Sequence, residues 1–221
     1  LFFMAMGPNI KWIKDKIGKF NLKEIFIFII SIVISYIFVN KFGVSYLLSL
    51  PLFIFSLFLF FVTIRDFFGK NINISQKISH FGFSLLILSI LLNGVLAKEH
   101  SSNMRVGDEI KFLDKIIQFQ NIEVIKKQNY QTLIGKFNIV DENNSLSLKP
   151  EIRIYDQPET ITSEADISST IFADNFLVFN IIKNDGFYNV RYQIKPFMIW
   201  IWISVLLISL GGILSLKKKN V

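Results

Sequence analysis

Cysteine is absent from this 221-residue chain, and histidine occurs only twice, at positions 80 and 100. Without cysteine the chain forms no disulfide and has no CxxC redox pair, so any thiol chemistry belongs to a partner. There is no His/Cys cluster with zinc-site spacing, no GxGxxG motif and no phosphate-binding glycine loop. The common zinc and nucleotide signatures are therefore excluded, and no nucleophile–base pair is apparent.

Charged residues are almost absent from four long stretches, although 19% of the whole chain is charged. The stretches lie at about 24–41, 44–64, 78–97 and 197–216, and 52% of all residues are hydrophobic. A helix of about 20 residues is roughly 30 Å long, which is the thickness of the bilayer core. The composition therefore predicts a multi-pass membrane protein with four transmembrane helices.

This distribution predicts three regions. Residues 1–97 form a membrane region, residues 98–195 an extramembrane β-domain, and residues 196–221 the final transmembrane helix with a basic tail. The apolar residues 1–7 lead into Gly7-Pro8, which is typical of the end of a helix. Because a signal peptide has the opposite order, basic before apolar, we expect the chain to be the later part of a longer protein.

The net charge of +7 is unevenly distributed. Residues 98–195 contain 12 Lys/Arg and 14 Asp/Glu, whereas the rest contains 12 Lys/Arg and three Asp/Glu beside the apolar stretches. This pattern follows the positive-inside rule and does not indicate nucleic-acid binding. With Lys11–Lys23, Arg65–Lys77 and Lys217–Lys219 in the cytoplasm, 11 of the 12 flanking positive charges are cytoplasmic and only Lys41 is not. We predict that residues 98–195 lie outside the cytoplasm.

Residues 98–195 show the alternation of half-buried strands. Apolar residues recur at every second position in 133–139 and 188–194, and turn-forming residues stand at 141–144 and 184–186. The turn spacing predicts a small sandwich or open barrel of about six to eight strands. The fold class is thus a polytopic α-helical membrane protein with an inserted all-β extracytoplasmic domain. The expected core includes Leu133, Phe137, Ile139, Val178 and Val190.

His80 is the third residue of the uncharged stretch 78–97. A titratable ring in an apolar span is costly and is by default a functional-site hypothesis. A neutral imidazole is also a common metal ligand. The alternative is structural, because a polar ring near the end of a span reaches the headgroup region. The residues alone leave both interpretations open.

The remaining candidates lie outside that stretch. His100 cannot share a metal with His80, because a helix would separate residues 20 positions apart by about 30 Å and axial nitrogens on one iron lie about 4 Å apart. We expect His100 to be a solvated residue just past the membrane. Glu151, Arg153 and Tyr155 alternate on one strand face, which indicates either a partner-docking site or an ordinary solvent-facing strand.

Several short motifs follow one another in a characteristic order. They are SHFG at 79–82, MRVGDEI at 104–110, EIRIY at 151–155, TSEADI at 162–167, IKPFMIWIW at 194–202 and LGG at 210–212. Together with GPNIKW at 7–12, they resemble the CcmF-type haem lyase subunits of cytochrome c maturation. The resemblance covers nearly the whole chain, and SHFG resembles that family's conserved histidine helix.

This resemblance implies a large polytopic protein of the bacterial inner membrane. Such proteins take haem from a periplasmic haem chaperone and, with other cytochrome c maturation subunits, help join it to apocytochrome c. The resemblance also implies a haem b in the membrane between two histidines, of which His80 matches the second iron ligand and the first lies upstream. Residues 98–195 would be periplasmic and the C-terminus cytoplasmic. The family's tryptophan-rich haem-handling segment has no counterpart here, so lyase activity is not assigned to this chain alone.

A function of a different class is the alternative. In it the chain is a membrane-anchored, non-catalytic interaction or sensor domain without haem, and His80 is merely interfacial. A permease subunit is poorly supported, because the third span offers only His80, Asn93 and serines as polar groups and shows no pair of broken helices. A bis-histidine haem spectrum of the complete protein, or its absence, separates haem binding from the alternative.

Overall fold

The computed structural model describes residues 1–6, 22–43, 46–69, 73–141, 144–182 and 186–217. These residues fall into two units, one comprising Leu1–Leu96 with Phe197–Val221 and the other Ala97–Pro196. The predicted turn residues 142–143 and 184–185 lie outside the described residues. So do the basic segment 9–21, Lys218 and Lys219.

The first unit is helical. Among the described residues, four helices are long and apolar enough to cross a membrane. Glu24 lies in the first turn of one helix and Lys41 in its last turn, where each charge complements the helix dipole. A helix satisfies all its backbone polar groups internally, which is what a bilayer requires of an uncharged segment. The helices are α1 Phe2–Met6, α2 Leu22–Phe42, α3 Tyr46–Phe68, α4 Ile74–Leu96 and α5 Met198–Lys217.

Aromatic and small side chains join α2 to α3. The Phe28 ring meets Phe58 edge-on with centroids 5.2 Å apart, and the Phe38 centroid lies 4.8 Å from that of Phe53. Ser31, Ser35 and Ser56, which lie between these aromatic residues in sequence, are fully buried. Small side chains at such positions let two membrane helices approach closely, so packing holds this pair together.

The second unit is an all-β domain with two antiparallel sheets. One sheet has the strand order β1-β10-β9-β8, and the other has the order β2-β3-β4-β6-β7 with β5 also paired to β4. This arrangement confirms the predicted fold class of apolar helices with an inserted β-sandwich. The strands are β1 Lys98–Met104, β2 Glu109–Phe112, β3 Lys115–Lys126, β4 Tyr130–Asp141, β5 Asn144–Leu148, β6 Glu151–Asp156, β7 Glu159–Glu164, β8 Asp166–Ser169, β9 Ala173–Ile181 and β10 Tyr188–Pro196.

The core of the domain lies between the two sheets. The stacked rings of Phe119 and Phe137, whose centroids are 4.3 Å apart, form its centre, and Phe179 packs edge-on against both. The alternating residues of β4 and β10 supply much of the rest, because every second side chain of a strand faces the same way. The buried set is Met104, Ile117, Phe119, Phe137, Ile139, Leu148, Ile152, Leu177, Phe179, Val190 and Tyr192.

Two sequence predictions for this domain were wrong in part. The described residues form ten strands where about six to eight were expected, because β5 and β8 are too short to show a pattern. Val178 is not in the core, since its neighbours Leu177 and Phe179 are the buried residues of β9. The predicted core residues Phe137, Ile139 and Val190 are buried, and Leu133 packs against the core from its edge.

Candidate functional site

His80 lies in the second turn of α4 and is half-buried. Because α4 begins at Ile74, the histidine lies deeper in the helix than the predicted span 78–97 placed it. Ser84, four residues later and therefore on the same helix face, forms a 2.7 Å hydroxyl–hydroxyl hydrogen bond with Thr63 of α3. His80 thus lies on the side of α4 that borders α3.

Aromatic rings and one carboxylate surround this turn of α4. The Phe81 centroid lies 5.9 Å from that of Phe60 and 6.0 Å from that of Phe67, both on α3. The register that places Phe67 beside Phe81 also brings Asp66 to the level of His80, and the Asp66 carboxylate acts electrostatically on the imidazole. An apolar, aromatic surrounding with one acidic neighbour suits a neutral imidazole that ligates a metal.

Asp66 belongs to a charged cluster that ties the helix ends together. Arg65 donates to Asp66 Oδ1 from Nε at 3.0 Å and from Nη2 at 2.8 Å, and to Glu24 Oε1 from Nη1 at 3.3 Å. The side chains of Asp66 and Glu24 are each only 12% exposed, so both carboxylates are largely shielded from solvent. Lys77 Nζ donates to the carbonyl oxygens of Phe67, at 3.1 Å, and of Gly69. The cluster therefore fixes α2, α3 and α4 to one another near His80.

The opposite side of this turn packs tightly against α5. A Cβ atom at Gly82 would lie 2.9 Å from Leu207 Cβ and 3.0 Å from Ser204 O, and one at Gly211 would overlap Ser79 Oγ. Sequence reasoning found no helix-packing motif here, because Gly211 and Gly212 are adjacent. The available signal was the small residues Ser75, Ser79 and Gly82, whose spacing of four and three places them on one face of α4.

His100 belongs to the β-domain. It lies on β1, is half-buried, and stacks on Phe112 with centroids 5.3 Å apart. The structure therefore gives His100 a packing contact, where the sequence predicted a solvated residue. In the part of the chain that the structure describes, no group of three or more His, Cys, Asp or Glu side chains forms a metal site.

Glu151, Arg153 and Tyr155 lie together on β6, with Tyr130 beside them on β4. Arg153 Nε donates to Glu151 Oε2 at 3.1 Å, and its guanidinium lies 5.6 Å from the centroid of the Tyr130 ring. Tyr130 is paired with Tyr155, and their ring centroids are 5.2 Å apart. The hydrogen bonds to Glu151 and Tyr155 raise the pKa of Arg153 above its ordinary value. Sequence reasoning missed Tyr130, which is distant in sequence and joins the group only through strand pairing.

Comparisons with known proteins agree with this architecture. Residues 95–196 match the family model described as the CcmF C-terminal beta-sandwich. The cytochrome c-type biogenesis protein CcmF of Escherichia coli is 24% identical over 223 residues, covering 96% of this chain and 34% of the relative. CcmF of Pseudomonas aeruginosa is 24% identical over 146 residues, covering 66% of this chain and 22% of the relative. The cytochrome c-type biogenesis protein ccl1 of Rhodobacter capsulatus is 29% identical over 149 residues, covering 66% of this chain and 22% of the relative.

A solved structure extends the match to the fold. The "Cytochrome c Heme Lyase CcmF" superposes with a TM-score of 0.70 and 14% identity, covering 95% of this chain and 37% of that one. At this identity the likeness shows the fold alone. The chain spans about a third or less of the length of the curated relatives just described. Residues 95–196 therefore match the CcmF C-terminal beta-sandwich, and the chain as a whole is similar to the C-terminal part of CcmF proteins.

Proposed function

We propose that this chain is the C-terminal part of an inner-membrane factor for cytochrome c biogenesis, and that His80 ligates a haem b within the membrane. The relatives are named for cytochrome c-type biogenesis and the solved structure for haem lyase activity, which supports a haem-handling role. The observation that carries the ligand assignment is the position of His80, half-buried in an apolar helix beside Phe67, Phe81 and Asp66.

The residues around His80 fit one side of a haem. Imidazole nitrogen is a usual axial ligand of haem iron, and the aromatic rings nearby provide an apolar surface. In the described chain the other histidine, His100, is packed on Phe112 in the β-domain, so the second ligand would come from a segment outside this chain. When bound, a bis-histidine haem supplies one-electron redox chemistry, which would serve to keep the transferred haem iron reduced.

The surrounding residues would orient the imidazole. Gly82 and Gly211 let α4 and α5 pack closely, with no room for a Cβ atom at either position, and the Thr63–Ser84 hydrogen bond joins α4 to α3. Ligating histidines nearly always donate from the other ring nitrogen to a carboxylate, carbonyl or water. Asp66 is the nearby carboxylate that would hold this tautomer, and Arg65 would hold Asp66.

The spectrum of the complete protein tests the ligand assignment. In protein purified from a haem-replete host, His80→Ala should abolish the b-type absorption while expression is unchanged. His100→Ala is the matched control, because it removes the other histidine of the chain from a packed site, and it should leave the spectrum intact. An unchanged spectrum in His80→Ala would refute the assignment and favour the membrane-anchored interaction or sensor domain without haem.

The same proposal places residues 98–195 in the periplasm and the C-terminus in the cytoplasm. It rests on the 11 of 12 flanking positive charges that this orientation puts on the cytoplasmic side. Reporter fusions after Lys98 and after Val221 should report opposite compartments. If both fusions report one compartment, the orientation is wrong.

We assign partner docking to the face formed by Tyr130, Glu151, Arg153 and Tyr155, the docking face. Tyrosine and arginine are the residue types most often found at the energetic centre of interfaces. The partners would be other cytochrome c maturation subunits, the periplasmic haem chaperone and apocytochrome c. Arg153→Glu should reduce co-purification of these partners. Arg191→Glu, which breaks a comparable exposed ion pair with Glu99 on the other sheet, should not; equal loss in both variants would refute the assignment.

A further inference from the structure

The hairpin turn between β8 and β9 exposes two large apolar side chains. Ile171 is 62% exposed and Phe172 is 71% exposed. The turn itself is well ordered by hydrogen bonds: Thr170 donates to Ala173 O from its backbone at 3.0 Å and from Oγ1 at 2.7 Å, and Ala173 N donates back to Thr170 Oγ1 at 3.1 Å. The two exposed apolar side chains therefore belong to a turn that is held by hydrogen bonds.

Strand register locates this hairpin tip at the end of the sheet from which β10 leaves the domain. Ala173 pairs with Pro196, the last residue of β10, and α5 begins at Met198. Paired Cα atoms lie about 5 Å apart and successive Cα atoms about 3.8 Å apart, so Phe172 lies within about 9 Å of Pro196, the last residue of the domain before the chain enters α5. The headgroup layer on each side of the bilayer is about 5–8 Å thick, so a tip this close to the last residue of the domain is within reach of that layer when α5 crosses the membrane.

The residues at this end of the sheet, and those that begin α5, have the chemistry of a lipid interface. Lys195 lies one residue from Pro196 with its Nζ 4.6 Å from the Phe176 ring centroid, and Lys98 pairs with Ile194 on the neighbouring strand. Both ammonium groups suit the phosphates of lipid headgroups. Trp200 and Trp202 follow in the first turns of α5, as aromatic residues do at membrane–water boundaries.

We propose that Ile171 and Phe172 insert into the outer headgroup layer of the bilayer and act as a third attachment of the β-domain. The two covalent links, β1 after α4 and β10 before α5, are adjacent strands and so form a single line about which the domain could tilt. The tip lies at the β8–β9 side of the same sheet, away from that line. Its insertion would fix the tilt and hence the direction in which the docking face points. The proposal depends on α5 crossing the membrane and not on haem binding.

Site-directed spin labelling tests this proposal directly, because the chain contains no native cysteine. The complete protein, freed of any cysteine elsewhere, is labelled at Phe172→Cys and reconstituted in phospholipid vesicles. Ile161→Cys is the control: it is 60% exposed on β7, which meets β9 through the Ser163–Asn180 hydrogen bond at the end opposite Ala173. The probes are molecular oxygen, which concentrates in lipid, and a water-soluble nickel chelate.

We expect a several-fold higher ratio of oxygen to nickel accessibility at position 172 than at position 161. Equal nickel accessibility at the two positions would overturn the proposal, because the tip would then be in water. Low accessibility of position 172 to both reagents would also overturn it, because a protein surface would then cover the tip.

Discussion

Gly211 of α5 lies so close to Ser79 of α4 that a Cβ atom at Gly211 would overlap Ser79 Oγ. The same Cβ atom would lie 2.8 Å from Ser75 O and from Ser79 N, so backbone as well as side chain blocks it. Ser79 directly precedes His80. The α4–α5 contact and the orientation of the candidate ligand are therefore fixed by the same turn of helix.

Gly211→Ala should separate α4 from α5 and shift the turn that carries His80. Overpacking of this kind costs about 1–3 kcal/mol, which thermal unfolding in detergent will measure as a lower Tm. If the proposed function is right, the haem absorption of the complete protein should change as well. Gly212→Ala is the matched control, because its added Cβ meets nothing within 4 Å. Equal Tm values for the two variants would contradict the close contact.

Leu113 occupies a strained position in the turn between β2 and β3. Its φ of 55° is in the left-handed region, and its side chain is 52% exposed, so little packing offsets the strain. Because Phe112 pairs with Lys115, Leu113 is the first residue of a two-residue hairpin turn, where glycine is preferred when φ is positive.

Leu113→Gly should therefore raise the free energy of unfolding by about 1 kcal/mol. A left-handed non-glycine residue costs about 1–2 kcal/mol, but glycine loses more backbone entropy on folding, which offsets part of the gain. Chemical denaturation measures the change. Asp114→Gly, at the next position of the turn, has no positive φ to relieve and should be neutral or destabilising. A lower stability of Leu113→Gly would show that the leucine side chain packs usefully.

Phe137 is the central ring of the β-domain core. It is fully buried, stacks on Phe119 and meets Phe179 edge-on at 5.7 Å between centroids. Phe137→Ala should lower the free energy of unfolding by about 3–5 kcal/mol. Val178→Ala removes an aliphatic side chain that is not in the buried set and should cost much less. Similar losses in both variants would mean that the assignment of the inward face of β9 is wrong.

The contrast between Phe137 and Val178 shows which core residues of this domain can be predicted from the sequence. On β4 the polar residues Lys136 and Asn138 flank Phe137, so alternation identifies the inward face around it correctly. On β9 the run Phe176–Phe179 is apolar at four successive positions. Such a run shows no alternation of apolar and polar residues, so the sequence does not indicate which side chains face inward. Only pairing with β10, which aligns Leu177 with Tyr192, selects Leu177 and Phe179 as the inward pair.

The candidate site shows the same division. The apolar spans and the position of His80 within one of them follow from local composition, and both could be predicted. The neighbours of His80 could not, because Asp66, Ser84 and Gly211 are brought together by contacts between helices that no local pattern encodes. One local signal was available: Arg65 and Asp66 adjoin the end of an uncharged span, where a paired carboxylate next to an apolar segment is uncommon.

Tyr192 should give the β-domain a distinctive loss of stability in alkali. Its hydroxyl donates to Asn175 Oδ1 at 2.6 Å, and burial together with the charge of Asp141 raises its pKa to about 12. An unfolded tyrosine ionises near pH 10, so the unfolded state loses its proton first as the pH rises. The contribution of Tyr192 is therefore constant below about pH 10 and falls between pH 10 and 12, by about 2–3 kcal/mol at the upper limit.

Unfolding free energies measured from pH 8 to 12 will test this. Tyr192→Phe should remove most of the alkaline fall, whereas Tyr155→Phe, which keeps Tyr192, should leave it in place. An alkaline fall of the same size in Tyr192→Phe would assign the effect to other groups.

The carboxylate of Asp66 should tune the haem that we propose His80 to ligate. A negative charge beside the imidazole favours the oxidised iron, so Asp66→Asn in the complete protein should raise the reduction potential. A partly screened charge at an effective dielectric of about 20 contributes on the order of 1 kcal/mol, and about 59 mV corresponds to 1.4 kcal/mol for one electron, so we expect tens of millivolts. Glu24→Gln is the control, because Glu24 forms an ion pair with the same Arg65 but lies in the first turn of α2. Potentiometric titration measures the change. If Asp66→Asn has the reduction potential of the wild type while His80→Ala has lost its haem, the ligand assignment holds and Asp66 only anchors Arg65.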